Sequence, residues 1–138
     1  MTQDTWTIPA ERMKARVEHR IPLSKQALAV LRRAETQKVN DVVFFGQKPG
    51  RGLSNMALLM MLRRMGRTDL TAHGFRSTFR DWAAEQTNFP NEVVEMALAH
   101  TIPRAVEAAY RRGDLFEKRR KLMVEWGIHC CQQSKLMG

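Results

Sequence analysis

The amino-acid sequence predicts a mainly α-helical fold with a small antiparallel sheet at its amino-terminal end. Apolar residues recur at helical spacing in Leu58, Met61, Leu62 and Met65, and again in Phe75, Phe79, Trp82 and Ala83. Trp6 with Ile8, and Ile21 with Leu23, alternate instead as two short strands. At 138 residues, 43% hydrophobic and 27% charged, the chain has the size of about one domain and buries a core without staples. That composition excludes a mainly disordered chain.

The elements follow in order. Between the two strands, Glu11 to Arg20 is mostly charged and reads as a solvated hairpin or loop. Ser24 is placed to cap the next helix, whose stripe is Leu28, Leu31 and Ala34. Two strands do not stand alone, so either a third lies outside the chain or the apolar run Val42 to Phe45 pairs elsewhere. Gly46 to Gly52 is a loop by composition, and it lacks the Gly-Lys-Ser/Thr ending of a P-loop. Ser54 offers a cap for the Met-rich helix, whose stripe reads as core rather than as a recruitment surface. Asn91 offers one for a short helix over Glu92 to Ala99 that ends at His100. Pro103 suits the first turn of a helix bearing Val106 and Tyr110. Asp114 is placed to cap a last helix carrying Leu115, Phe116, Leu122, Met123 and Trp126. Beyond it the pattern fades, so residues 1–127 are expected to form the domain and 128–138 a flexible tail.

Charge narrows the function class. Twenty-three Lys and Arg against fourteen Asp and Glu give a net charge of +9, and the pI is near 10.4. A pI above about 9 for one domain is the electrostatic footprint of a nucleic-acid binder. The longest mostly apolar run, Met56 to Leu62, is far short of the roughly 20 residues that span a bilayer. Met1 to Pro9 is polar and holds no apolar signal core, so a cytoplasmic protein without membrane contact is expected. Cys130 and Cys131 are adjacent and cannot close an ordinary loop. With only His129 beside them they fall short of the four ligands of a structural zinc site, and neither metal nor cofactor is expected.

A few polar residues stand where chemistry could use them. His73 precedes a helix and Arg76 follows three residues on, so both face the same helix amino terminus, which favours an anion. His100 closes the apolar Leu98-Ala99-His100, and Tyr110, the sole tyrosine, follows ten residues later. Lys14 lies in the charged hairpin. Taken singly, each has an ordinary structural explanation: a cap histidine, a solvated arginine or lysine, a half-buried histidine, an amphipathic-helix tyrosine. Arg63, Arg64 and Arg67 suit the negative pole of the Met-rich helix and equally suit phosphates, as do Arg80, Arg111 and Arg112.

Their order and spacing together resemble the tyrosine recombinases, and among them the phage and genomic-island integrases. The motifs are Lys14 eight residues before Pro22, His73-Gly74-Phe75-Arg76 opening a helix, Leu98-Ala99-His100, and Tyr110. The resemblance covers about Trp6 to Trp126 and implies the recombinase catalytic-domain fold, the DNA breaking-rejoining type, in incomplete form. That family has a further arginine upstream of the hairpin; only Arg12 precedes Lys14 here, so the chain is expected to be the latter part of a catalytic domain, truncated on its amino-terminal side.

The resemblance further implies that Tyr110 attacks a DNA phosphate and leaves a 3′-phosphotyrosine and a free 5′-hydroxyl. Arg76, His73 and His100 would hold the charge gathering on the non-bridging oxygens. A tyrosine with a reference pKa near 10 needs a base, for which His73 is the candidate, or cations that favour the phenolate. Lys14 would protonate the departing 5′-oxygen. The bond energy stays in the covalent link, so no ATP is required. The implied partner is duplex attachment-site DNA held by a tetramer of the full-length protein whose last helix, Leu115 to Trp126, passes between neighbours; for this chain by itself a monomer or weak oligomer is expected, with that helix packed on its own core. Against this stand a non-catalytic DNA-binding remnant of the same fold, a type IB topoisomerase, and a metal-free ribonuclease using His73 and His100.

Overall fold

The computed structural model describes residues 4–38, 41–48, 50–100 and 113–136, the last four of these for their backbone alone. It holds two strands, β1 (Thr5–Ile8) and β2 (His19–Pro22), and the helices α1 (Lys25–Thr36), α2 (Ala57–Arg64), α3 (Gly74–Gln86), α4 (Asn91–Ala97) and α5 (Phe116–Leu136). Mostly helix with one small antiparallel sheet is what the apolar spacing predicts. The chain divides into two compact units, Met1–Leu28 with Arg80–Gly138, and Ala29–Phe79.

In the first unit the strands pair antiparallel, with Trp6 opposite Ile21 and Ile8 opposite His19. The charged connection is a loop with one turn of 3-10 helix at Ala10–Arg12, as its composition predicts. α5 lies against β2 and α4. The core here is Trp82, Ala83, Val93, Val94, Leu98 and Leu122. Trp82 and Trp126 meet with ring centroids 5.0 Å apart. Ser24 caps α1 as expected, its Oγ accepting the Ala27 N–H at 3.2 Å.

α5 departs from expectation. It runs on to Leu136 and does not fade after Trp126, so 128–136 is helix and not a tail. Two contacts account for this. The His129 ring packs 5.5 Å from Trp126 and 5.4 Å from Trp82, so the segment has something to bury. Gly127 permits close approach: a Cβ there would stand 2.6 Å from Gln26 Oε1 and 2.7 Å from Ser24 Oγ.

Asp114, expected to cap this helix, stands two residues before its first residue Phe116, and its carboxylate binds arginines. Arg20 binds it with Nε at 2.9 Å and Nη2 at 2.8 Å, and Arg119 Nη2 binds it at 2.9 Å. Arg119 is 2% exposed. Its Nε and Nη1 donate to the backbone carbonyls of Asp114 and Arg20, so the buried cation is paired with a carboxylate and two carbonyls. Phe116 lies under the Arg20 guanidinium, 4.4 Å from its ring centroid. This knot ties β2 to the start of α5.

In the second unit, Leu62 and Phe79 are buried. A single bridge joins Phe45 to Gly52 across the Gly-rich loop, so Val42 to Phe45 does not add a third strand. The reading of the Met-rich stripe as core needs correction: Leu58, Met61 and Met65 are exposed and only Leu62 is enclosed. Helical spacing shows that a face is apolar; what covers that face depends on neighbours, which spacing does not report. Neither Ser54 nor Asn91 caps by its side chain; Ser54 offers its carbonyl to Ala57 N–H at 3.0 Å, and Asn91 is already the first residue of α4, behind Pro90.

Candidate active site

Lys14 sits on the turn joining η1 (Ala10–Arg12) to β2 and is exposed. Arg16, two residues on, has φ of 55°, a tight bend that brings the chain back into β2.

His73 and Arg76 open α3. Thr71 fixes this helix start: its Oγ accepts the Gly74 N–H at 3.0 Å and its carbonyl accepts the same N–H at 3.1 Å. The His73 carbonyl then accepts the Arg76 N–H at 3.1 Å. Gly at 74 suits this tight entry, since a Cβ there would lie 3.2 Å from Thr71 Oγ. Both His73 and Arg76 are exposed, on the positive end of the helix. One turn further along α3 comes Arg80, also exposed.

His100 lies just past α4. Ala99 adopts φ of 55°, and the chain closes with His100 N–H on the Glu95 carbonyl at 3.0 Å and Ala99 N–H on the Met96 carbonyl at 3.1 Å. This is a Schellman end, built with Ala where Gly is usual. It turns His100 back along the helix, so that Nδ1 meets Glu95 Oε2 at 2.6 Å. The other carboxylate oxygen of Glu95 forms an ion pair with Arg80 Nε at 2.8 Å. That contact is off the line of a hydrogen bond, and Oε1 is buried with no hydrogen-bond donor among the described residues. Glu95 is 17% exposed and thus joins an expected DNA contact, Arg80, to an expected catalytic residue, His100.

Sequence reasoning missed Glu95. The signal was a glutamate five residues before a histidine at a helix end, a separation that brings side chains together only when the residue between turns left-handed, and Ala99 gives no notice of that. It also missed the Arg20–Asp114–Arg119 knot, for which no pattern existed, because arginine is seldom fully buried.

Of the expected phosphate contacts, Arg63 and Arg64 are exposed on the last turn of α2. Arg67 is exposed but engaged by Asp69, with Nε at 3.0 Å and Nη2 at 2.8 Å. The Arg67 hydrogen bonds hold the Asp69 carboxyl down at about 2. Tyr110, Arg111 and Arg112 lie outside the described residues. Cys130 and Cys131 are exposed thiols, not joined in a disulfide. Among the described residues no group of His, Cys, Asp or Glu is assembled to hold a metal, and no helix is long and apolar enough to cross a membrane.

Comparison with known proteins gives the arrangement a context. A family profile described as "Phage integrase family" matches residues 1–115. The chain is 36% identical over 124 residues to prophage integrase IntA of Escherichia coli K12, an alignment covering 88% of this chain and 30% of that protein. It is 35% identical to prophage integrase IntZ of the same strain, covering 88% of this chain and 31% of IntZ. To the integrase of Shigella phage Sf6 it is 31% identical, covering 87% of this chain and 32% of that protein. The chain thus spans about a third of the length of these curated relatives. No solved structure matches it significantly.

Proposed function

The chain belongs to the phage integrase family, and from that premise we propose that it carries the strand-cleavage chemistry of site-specific DNA recombination. In this reading the Tyr110 hydroxyl oxygen attacks a DNA phosphorus. The P–O bond to the 5′-oxygen breaks, and a 3′-phosphotyrosine forms. His73 takes the tyrosine proton and Lys14 gives one to the leaving 5′-oxygen. Arg76 and His100, with His73, donate hydrogen bonds to the non-bridging oxygens. Rejoining is the same sequence in reverse, with a 5′-hydroxyl from a second duplex as the attacking group.

The observation that carries this reading is the manner in which the cationic groups are offered. His73 and Arg76 stand exposed on the first turn of α3, where the backbone itself favours an anion. His100 stands exposed at a helix end, with one ring nitrogen already held by Glu95. Preorganised donors of this kind are worth several kcal/mol in a transition state that gathers charge, about 3 kcal/mol for one well-placed donor. Lys14, on an exposed turn, has the freedom a proton donor to a leaving group needs.

The partner proposed is duplex DNA at attachment sites, contacted through Arg63, Arg64, Arg80, Arg111 and Arg112, with four copies of the recombinase acting together. The test is covalent capture. A nicked duplex from the boundary of the DNA element that carries the gene should become linked to the recombinase bearing this segment. Tyr110→Phe should abolish the link and leave affinity nearly unchanged. Binding without capture by the unsubstituted protein would reduce the reading to a DNA-binding module.

A further inference from the structure

We propose that Glu95 is a positioning residue of the cleavage site, acting through His100; this inference rests on the reading that His100 contacts the phosphate. Its basis is the 2.6 Å contact between Glu95 Oε2 and His100 Nδ1, together with the 2.8 Å ion pair from Glu95 Oε1 to Arg80 Nε. An ionised carboxylate only accepts hydrogen bonds, so the shared proton sits on Nδ1. With Nδ1 occupied, the ring orientation is fixed and Nε2 is the atom offered to a ligand. When Nε2 also carries a proton, it donates to a phosphate oxygen while the carboxylate balances the ring's positive charge.

Three features make this a built device rather than a chance surface pair. Glu95 is 17% exposed, so the contact is shielded from water on the carboxylate side. His100 is brought to it by a backbone closure that needs Ala99 at φ of 55°, a conformation that non-glycine residues seldom adopt. Arg80, from α3, holds the other oxygen, so the carboxylate cannot swing away without breaking an ion pair. The result is a relay of position from α3 through α4 to the imidazole. No group is transferred along it; its effect is to remove the rotational freedom of a donor that must be in place when charge develops.

Two measurements test it. The first reads the histidine ring directly in this chain, by nitrogen-15 spectra of the imidazoles at neutral pH. The wild type should show His100 with its proton on Nδ1. Glu95→Gln, which keeps an acceptor, should retain that form, and Glu95→Ala should lose it. A wild-type His100 protonated on Nε2 alone, unmoved by Glu95→Ala, would overturn the proposal whatever the DNA chemistry turns out to be.

The second is a double-substitution cycle on covalent capture of the nicked duplex. Glu95→Ala should slow capture by about tenfold to a hundredfold, with Glu95→Gln restoring much of the rate. In a His100→Ala background, Glu95→Ala should add little. An equal loss in both backgrounds would show that Glu95 serves folding rather than His100. Absence of capture by the wild type would count against the recombinase reading alone, because the ring spectra still decide what Glu95 does.

Discussion

Glu95 and His100 meet at 2.6 Å because Ala99 between them is left-handed, with φ of 55°. One strained residue closes α4 and aims the imidazole. A left-handed Ala costs about 1 kcal/mol, since its Cβ crowds the neighbouring carbonyl. Ala99→Gly should therefore stabilise the protein by roughly 0.5–1 kcal/mol. A melting curve checks this, and a lower midpoint would show that the turn is not under strain.

Gly127 should tolerate no side chain. An added Cβ would stand 2.7 Å from Ser24 Oγ, which is itself committed to capping α1. The Gln26 amide, at 2.6 Å, is the end of a flexible chain and can yield; the buried serine cannot. Gly127→Ala should cost about 1–3 kcal/mol, although in an ordinary helix interior the same change stabilises. Chemical denaturation distinguishes the two, and a gain in stability would contradict the close approach.

The end of α5 gives a third prediction. His129 packs on Trp82 and Trp126, so truncation after Gly127 should lower the melting temperature by a few degrees and alter the near-ultraviolet circular dichroism of the tryptophans. An unchanged spectrum and midpoint would return 128–136 to the role of a tail.

Acid should loosen the knot at Asp114. Burial pushes this carboxyl up, but hydrogen bonds from Arg20 and the charges of Arg119 and Arg20 outweigh it and leave its pKa below the usual value. A carboxyl depressed in the folded state contributes stability above its unfolded pKa, near 4, and that contribution is lost as pH falls through the folded value. His19 works in the same direction at higher pH. Burial, then the Arg119 charge, lowers its pKa, so stability present above about 6.5 declines as pH drops below it. Asp114→Asn should flatten the acid limb of a stability–pH curve below about pH 4 and, because the Asp114 charge works to raise the His19 pKa, deepen the His19 limb. An unaltered acid limb would show that Asp114 carries none of it.

The sequence made the helices readable because apolar spacing is a local property. Trp82 and Ala83 are buried as their stripe predicts, whereas Phe75, in the same stripe, is 51% exposed. Burial depends on what lies opposite, and spacing says nothing of that. The continuation of α5 past Trp126 was hidden for a related reason: Gly127 there serves an approach to Ser24 and Gln26, far away in sequence. The sequence offers Lys14, His73, Arg76, His100 and Tyr110 as an ordered set of motifs, the set on which the proposed chemistry rests. The residues that hold such groups were not legible there. Glu95 needs the Ala99 turn to reach His100, and Arg119 needs Asp114 and the Arg20 carbonyl to be buried at all.

The proposed chemistry turns on Tyr110 becoming joined to DNA. The most direct measurement is mass spectrometry of the peptide that carries the adduct after a nicked duplex has been trapped and digested. A nucleotide linked through a 3′-phosphate to Tyr110 is expected, and no adduct in Tyr110→Phe. An adduct on any other residue, or one that persists in Tyr110→Phe, would contradict the proposed chemistry.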